Sequence, residues 1–383
     1  MKKYLSIGAA LVAASCMAVT GGGAIQVKAQ ETLPCKAAYL CDYESGTKVF
    51  SQNEEKRLPI ASMCKIMTLL LSLEATERGE LSFDEQIVIS ENASGMGGSQ
   101  VFLDTGLSYT AEDLMRTIAV CSANDSCVAI AERVAGSEAA FIEKMNARAK
   151  ELGAQNTLFA NCTGLPKDPQ YSCAKDVAIM FKELLKHQKY YEFSKVWLED
   201  FAHPDGRTTT ITNTNKLIRS YKGCDGGKTG FTSEAGFCLA ATAKRGDTRL
   251  ISVVIGADSS KSRNKTICEL FDSTFNTYET KPVVEAGQTV GKVAVKGGKA
   301  KEVELVAQDA LATFTKKGEQ ANVNVEDQIP KEIKAPVAVG EVYGEAILYR
   351  DGVEIARTKL TAKEKVARNN WWDALQEGAR NWN

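Results

Sequence analysis

The chain has 383 residues, of which 44% are hydrophobic and 25% are charged, and its formal net charge is −1. This balance is typical of a globular protein rather than a disordered or fibrous one, and the near-neutral charge argues against a nucleic-acid partner. At roughly 100–200 residues per domain, the length predicts two domains. The two histidines, His187 and His203, offer little material for a multi-histidine zinc site or a Ser-His-Asp triad. A serine nucleophile in this chain would therefore need a different base.

The first 29 residues have the order of features of a secretory signal peptide. Two lysines near the start precede a small and apolar run at 4–19, and residues 27–29 resemble a signal-peptidase site. The run is short and rich in alanine, which argues against a membrane span. An alternative is lipidation at Cys16, although the residue three positions before it is not the usual leucine. We therefore predict that the protein is exported and that residues 1–29 are removed.

Ten of the eleven cysteines lie beyond the predicted signal peptide, mostly inside apolar segments, and none forms a C-x-x-C pair. This spacing argues against zinc-ribbon and thioredoxin-like sites. Although an oxidising compartment would favour disulfides, cysteine in apolar surroundings behaves as a small buried hydrophobic residue. We predict free thiols. No cysteine follows Cys268, which marks a change in composition along the chain.

Residues 30–280 alternate strand-like and helix-like patterns, which indicates a mixed α/β domain. Thr110 and Asp113 have the spacing of a capping box and mark one helix start. In chain order, the predicted elements are a hairpin at 37–50, helices at 62–77, 110–120, 125–134, 137–152 and 176–188, a hairpin at 237–255 and a helix at 265–278.

The pattern changes beyond this domain. Residues 281–362 consist of short alternating segments separated by glycine and lysine turns, which predicts a small all-β domain. Residues 363–383 are predicted to be an amphipathic helix. Within it Trp372, Leu375 and Trp382 fall on one helical face.

A Ser-x-x-Lys pattern lies at the start of the first long predicted helix. Spacing of i, i+3 brings the Ser62 hydroxyl and the Lys65 amine to the same helix face, while Cys64 points elsewhere, into the predicted core. The helix N-terminus also favours negative charge developing near Ser62. Because the same pattern occurs three more times in the chain, a simple helix cap with a solvated lysine remains an alternative.

Two further motifs offer polar groups in breaks between apolar segments. Ser122 and Asn124 form Ser-x-Asn in a short break between two predicted helices. Lys228, Thr229 and Gly230 form the single Lys-Thr-Gly, which leads into a predicted strand. Glycine at a strand edge lets a ligand backbone approach closely. The alternatives are an inter-helix turn for the first motif and a surface turn for the second.

In this order, the three motifs resemble the active-site set of the penicillin-binding proteins and serine β-lactamases. The surrounding sequence at 59–68, 122–136 and 227–236 is similar to that of low-molecular-mass D-alanyl-D-alanine carboxypeptidases. The resemblance extends from residue 33 to the C-terminus. It implies a β-lactamase/transpeptidase-like α/β (α+β) catalytic domain at 30–280, with a central antiparallel sheet flanked by helices.

The resemblance also implies catalytic roles. Ser62 would be the nucleophile and Lys65 its base, and Ser122 would relay a proton between the lysines and the leaving amine. Asn124 would hold the substrate peptide and orient Lys65. The backbone N–H groups of Ser62 and Phe231 would form the oxyanion hole. Phe231 stands where the family often has histidine, but only its N–H is needed.

The remaining implied roles concern substrate binding. Lys228 and Thr229 would bind the terminal carboxylate of the substrate, and Gly230 would allow close approach. Arg263 is similar to a further carboxylate-binding arginine of the family, although it also fits a plain surface charge. No metal and no organic cofactor is implied.

A class A β-lactamase needs a glutamate that activates the deacylating water. The corresponding stretch at 161–171 contains no glutamate, and Asp168 is its single carboxylate. We therefore expect β-lactams to acylate the protein and to be released slowly, so that they act as inhibitors.

The sequence thus predicts an exported serine-type D-Ala-D-Ala carboxypeptidase that acts on peptidoglycan pentapeptides through an acyl-enzyme on Ser62. The tryptophans and cations of 363–383 favour a peripheral position on the outer face of the cytoplasmic membrane. The alternative for this segment is a helix packed on the β domain. The alternatives for function are a non-catalytic β-lactam sensor or wall-binding protein, and a DD-endopeptidase.

Overall fold

The computed structural model describes residues 32–320 and 322–370. Within these ranges the helices are, in chain order, α1 (Lys65–Glu77), α2 (Glu91–Ser94), α3 (Ala111–Val120), α4 (Asn124–Ala135), α5 (Glu138–Glu151), α6 (Ala174–Leu184), α7 (Gln188–Ser194), α8 (Leu217–Ser220) and α9 (Ser260–Thr277). The strands are β1 (Ala37–Asp42), β2 (Lys48–Gln52), β3 (Gln86–Val88), β4 (Ser108–Thr110), β5 (Leu198–Ala202), β6 (Thr208–Thr212), β7 (Cys224–Thr232), β8 (Gly236–Arg245), β9 (Thr248–Ala257), β10 (Tyr278–Val284), β11 (Thr289–Lys296), β12 (Glu302–Ala307), β13 (Leu311–Lys316), β14 (Val323–Gln328), β15 (Glu332–Lys334), β16 (Val342–Arg350) and β17 (Val353–Ala362).

A five-stranded antiparallel sheet forms the centre of the first domain, in the order β2-β1-β9-β8-β7. The predicted hairpin at 237–255 is confirmed as β8 and β9. Strand β9 is apolar along most of its length and its residues are buried, because helices cover both faces of the sheet. Strand β7 lies at the edge, so its outer side has no neighbouring strand.

The helices form a layer on each face of the sheet. One layer contains α1, α4 and α6, and its core includes Leu69, Ile130 and Phe181. The other contains α9, which packs through Phe271. Helix α1 runs inside the first layer and is buried on nearly every side, which explains why its sequence is almost uniformly apolar rather than amphipathic.

Most predicted helix boundaries in the first domain agree with the structure to within a few residues, but α9 begins at Ser260, five residues before its predicted start, and two other helices differ informatively. The predicted cap is confirmed, because Thr110 Oγ1 accepts a hydrogen bond from the backbone N–H of Asp113 at 3.0 Å. The predicted first turn of the helix at 62–77 is instead a 3-10 turn, Ala61–Cys64, and the α-helix begins at Lys65. The predicted helix at 176–188 stops at Leu184, and α7 then begins separately.

The second domain is all-β, as predicted. A six-stranded sheet in the order β14-β16-β17-β12-β11-β15 surrounds a core that includes Val293, Leu305 and Leu348. Strands β10 and β13 form a separate pair beside it. The two domains are tied together where Thr280 Oγ1 donates a 2.6 Å hydrogen bond to the buried carboxylate of Asp42.

The predicted helix at 363–383 is wrong for residues 363–370. Val366 pairs with Val337, and Arg368 pairs with Gly298, in isolated β-bridges. The physical reason is that Val366 is buried in the core of the β domain, and an extended backbone brings it there. Residues 371–383 and the predicted signal peptide lie outside the described residues.

All ten cysteines in the described part of the chain are free thiols, and seven are buried. This agrees with the prediction from their apolar surroundings. Of the helices in the described ranges, none combines the length and the hydrophobicity needed to cross a membrane.

Candidate active site

The 3-10 turn at the start of α1 presents the first motif. Ser62 is half-buried in this turn, whereas Lys65, the first residue of α1, is fully buried. Lys65 Nζ lies 3.0 Å from Ser62 Oγ. The predicted i, i+3 contact is therefore present, and the alternative of a solvated lysine is wrong.

Two oxygens from elsewhere in the chain complete the surroundings of the Lys65 amine. Lys65 Nζ donates to Asn124 Oδ1 at 2.7 Å and to the backbone carbonyl of Thr163. Asn124 in turn donates from Nδ2 to the carbonyl of Gly97 at 2.7 Å, which fixes the orientation of its amide. The three oxygens around Nζ give a buried amine the hydrogen bonds that its burial requires.

The second and third motifs meet on the other side of the site. Lys228 Nζ donates to Ser122 Oγ at 2.8 Å, and both side chains are buried. Ser122 lies in the break between α3 and α4 and has a φ of 68°, a region that non-glycine residues rarely adopt. Such strain is held in place by surrounding contacts and is concentrated at functional sites.

Two buried lysines close together dominate the electrostatics. Burial, followed by the charge of Lys65, lowers the pKa of Lys228 to about 7. Removing an amine from water disfavours its charged form, and a second positive charge adds to that effect. The site is therefore short of negative charge, and an anion placed beside Lys228 would stabilise its protonated form.

Two glycines bring the backbone against the turn that holds the serine. A Cβ on Gly230 would lie 2.6 Å from the carbonyl oxygen of Ile60 and 3.2 Å from the backbone N of Ser62. A Cβ on Gly164 would lie only 2.1 Å from the carbonyl oxygen of Ala61. Edge strand β7 and the loop around Gly164 therefore enclose Ser62 from two sides, and no side chain fits at either position.

The other predicted binding residues lie around this centre. Thr229 is half-buried in β7, next to Lys228. The ring of Phe231 is 56% exposed and packs on Phe237, with ring centroids 4.4 Å apart. Its side chain therefore points away from the two lysines, and only its backbone belongs to the predicted site.

Arg263 is buried on α9, in the layer on the other face of the sheet, which excludes the alternative of a surface charge. It donates from Nη1 to the carbonyl of Cys238 at 3.2 Å and also contacts Asn264. Burial lowers the pKa of Arg263 to about 10. No carboxylate of the described residues forms an ion pair with it, and it makes no hydrogen bond to the residues around Ser62.

Sequence reasoning missed two groups that shape the site. One is the carbonyl of Thr163, because a backbone acceptor leaves no mark in a side-chain motif. The other is Asn161, whose Oδ1 accepts from the backbone N–H groups of Thr163 at 3.2 Å and Gly164 at 2.7 Å and so folds the loop. An asparagine followed three residues later by glycine is a turn signal, and it could have indicated this loop.

The chain was compared with known families and structures. A family model described as D-alanyl-D-alanine carboxypeptidase matches residues 24–259, and one described as the C-terminal domain of penicillin-binding protein 5 matches residues 278–368. The chain is 41% identical over 348 residues to the D-alanyl-D-alanine carboxypeptidase DacF of Bacillus subtilis (strain 168), covering 91% of this chain and 90% of that protein.

Among solved structures, penicillin-binding proteins are similar to this chain. Penicillin-binding protein 5 from Haemophilus influenzae is similar with a TM-score of 0.69 and 31% identity, over 88% of this chain and 99% of that one. Penicillin-binding protein D2 from Listeria monocytogenes, in its ampicillin-bound form, is similar with a TM-score of 0.58 and 32% identity, over 64% of this chain and 99% of that one.

The enclosure of Ser62 by the Gly164 loop generates a prediction. Gly164→Ala should slow labelling by a fluorescent penicillin about tenfold or more, because the new methyl group must displace the turn that holds Ser62. Gly153→Ala is the matched control, since both glycines have a φ of 82° but a Cβ on Gly153 meets nothing within 4 Å. Equal labelling rates in the two variants would contradict the prediction.

Proposed function

The chain belongs to the D-alanyl-D-alanine carboxypeptidase family of serine peptidases, and we propose that it removes the terminal D-alanine from peptidoglycan stem peptides through an acyl-enzyme on Ser62. The observation that carries this proposal is the hydrogen-bonded set around one amine: Lys65 Nζ lies 3.0 Å from Ser62 Oγ and also contacts Asn124 and the Thr163 carbonyl. A neutral amine has two N–H donors and one lone pair. If Asn124 and Thr163 take the two donors, the lone pair faces the hydroxyl of Ser62.

Acylation follows from this arrangement. Lys65 in its neutral form accepts the proton of Ser62 as Oγ attacks the carbonyl of the D-Ala-D-Ala bond. The negative charge that develops on the carbonyl oxygen is stabilised by the backbone N–H groups of Ser62 and Phe231. Loss of one such donor typically costs about 10²–10³ in rate. Positioned donors are effective because they need no reorganisation during the reaction.

Substrate binding prepares the site for this step. The terminal carboxylate binds beside Lys228 and Thr229, and its negative charge favours the protonated form of Lys228. Ser122, bonded to Lys228 Nζ at 2.8 Å, passes the proton that Lys65 took from Ser62 on to the amine of the leaving D-alanine, which returns Lys65 to its neutral form. Water then hydrolyses the ester on Ser62, with Lys65 as the base. Arg263 supplies further positive charge from α9, where it contacts strand β8 at Cys238.

β-Lactams acylate the same serine in this proposal. The stretch at 161–171 has no glutamate to activate a deacylating water, so the penicilloyl ester is released slowly and penicillin inhibits the enzyme. Two other functions share this machinery. A non-catalytic sensor would stop at the acyl-enzyme, and a DD-endopeptidase would accept cross-linked peptides.

The direct test is release of D-alanine from a peptide that ends in D-Ala-D-Ala. The wild type should release D-alanine at a measurable rate, and Ser62→Ala should reduce the rate by at least about 10³, because the covalent route is lost. Labelling by penicillin without release of D-alanine from any peptide would favour the sensor. Cleavage of a cross-linked dimer faster than the monomeric peptide would favour the endopeptidase.

The pKa of Lys228 predicts a pH dependence of substrate binding. Below pH 7 the free enzyme carries protonated Lys228, and as the pH rises through about 7 it loses this charge. Above pH 7, binding of the substrate carboxylate must take up a proton, so KM should rise with pH, up to about tenfold per unit. A peptide that ends in D-alaninamide should bind weakly with little pH dependence. A KM for the acid peptide that stays constant between pH 7 and 9 would refute this.

We also propose that the protein is exported and lies on the outer face of the membrane through residues 371–383. Three of its four tryptophans, at 371, 372 and 382, lie in this segment together with Arg380. Tryptophan favours the membrane interface, and cations favour anionic lipid.

Flotation with vesicles that contain anionic phospholipid tests the anchor. The full mature chain should float with the vesicles, and a chain that ends at Asn370 should not. This end point is preferable to one at Ala362 because it keeps Val366 and Arg368, which belong to the β domain. Trp372→Ala with Trp382→Ala in the full chain is the point-substitution control and should float less. Equal flotation of all three proteins would rule out the anchor.

A further inference from the structure

Asp125 is a fully buried carboxylate next to the active site that the mechanism above does not use. It is the second residue of α4 and follows Asn124 directly. It forms no ion pair with any lysine, arginine or histidine of the described residues. Burial raises its pKa, and hydrogen bonds from backbone N–H groups oppose this effect. A carboxylate in such a place requires an explanation, because burying one is unfavourable.

Outside its own helix, the partners of Asp125 are backbone N–H groups of the loop at 97–103. Its Oδ2 accepts from Val101 at 3.0 Å and from Leu103 at 3.2 Å, and its Oδ1 accepts from Ser126 at 2.9 Å. Between the two bonded loop residues, Phe102 has a φ of 63°. The carboxylate therefore holds the loop in a conformation that the chain does not favour by itself.

The same loop holds the amide of Asn124. The backbone N–H of Asn124 donates to the carbonyl of Ser99 at 2.7 Å, and its Nδ2 donates to the carbonyl of Gly97 at 2.7 Å. The amide oxygen of Asn124, Oδ1, then accepts a hydrogen bond from Lys65 Nζ. Two consecutive residues of α4 thus bind one loop, and the loop in return determines which way the Asn124 oxygen points.

We propose that Asp125 is a positioning residue, which fixes the loop at 97–103 so that Asn124 turns its amide oxygen, and with it Lys65, towards Ser62. This inference rests on the proposed role of Lys65 as the base. Asp125 does not touch the reacting atoms. Its removal should therefore slow the chemical step much more than it weakens the initial binding of a β-lactam, since Lys228 and Thr229 lie outside this loop.

Asp125→Asn tests the proposal with little change in shape. The amide keeps one acceptor oxygen, and its NH₂ group must face the N–H donors of Val101 and Leu103 or that of Ser126, so the loop loses its attachment. In stopped-flow acylation by a fluorescent penicillin, the limiting rate should fall about 10–100-fold. The penicillin concentration at half-saturation should change much less than the limiting rate, since Lys228 and Thr229 are unaffected and only the contact of Asn124 is disturbed.

Asp42→Asn is the matched control. Asp42 is also fully buried, and it accepts hydrogen bonds from Ser45 and Thr280, but it makes no contact with the site. We expect this variant to lose stability in a thermal unfolding scan and to keep the wild-type limiting rate. A purely structural role of Asp125 would lower the fraction of protein that can be labelled, not the rate of the labelled fraction.

Gly98→Ala provides a second variant if Asp125→Asn does not fold. Gly98 is exposed, and a Cβ there would lie 2.9 Å from Asn124 Nδ2, so the substitution pushes the loop away from Asn124 while Asp125 stays intact. It should also reduce the limiting rate. Unchanged limiting rates in the folded variants, beside an active wild type, would overturn this inference alone. A wild type that takes up no penicillin would overturn the proposed function itself.

Discussion

Two buried amines in one site, those of Lys65 and Lys228, are the constraint on which the rest of this structure depends. Lys65 and Lys228 are almost fully removed from water, and neither has a carboxylate partner among the described residues. Each is held instead by neutral oxygens: those of Ser62, Asn124 and Thr163 around Lys65, and those of Ser122 and the Thr229 carbonyl at Lys228. An ion pair would satisfy the charges permanently. Neutral acceptors leave the site ready for an anionic substrate and for an amine that can change its protonation state.

Holding those oxygens in place requires backbone conformations that the chain does not prefer. Ala61 and Ser122 both have positive φ values, at 47° and 68°, and both lie beside the reacting groups. Gly164 and Gly230 allow the backbone to approach Ser62 closely. Buried polar side chains that do not touch Ser62 stabilise these conformations by accepting hydrogen bonds from the backbone of the surrounding loops. Asn161 holds the loop that presents the Thr163 carbonyl. Asp125 in the same way holds the loop at 97–103, which binds the amide of Asn124.

The β domain is connected to the catalytic domain at the end of the central sheet that lies away from Ser62. Asp42 at the end of β1 accepts from Thr280 in β10, and Lys186 after α6 pairs with Asp309 across the boundary. The β-bridges of Val366 and Arg368, together with the burial of Val366, show that the β domain continues through residue 368. The segment proposed to meet the membrane therefore follows the β domain almost directly in the sequence.

The local sequence determined the helices, the hairpin of β8 and β9 and the three motifs, because these depend on periodicity, capping and short spacings. Ser62 and Lys65 are three residues apart, so their contact was visible in the sequence alone. That Lys228 reaches Ser122, 106 residues away, followed from family resemblance and not from any local rule. Sequence reasoning also extended the C-terminal helix too far, since it detected the amphipathic pattern but not the pairing that keeps Val366 extended. Only the tertiary structure decided which backbone carbonyl accepts from Lys65 and which loop Asp125 holds, since backbone groups are the same in every residue and only folding gives them a place.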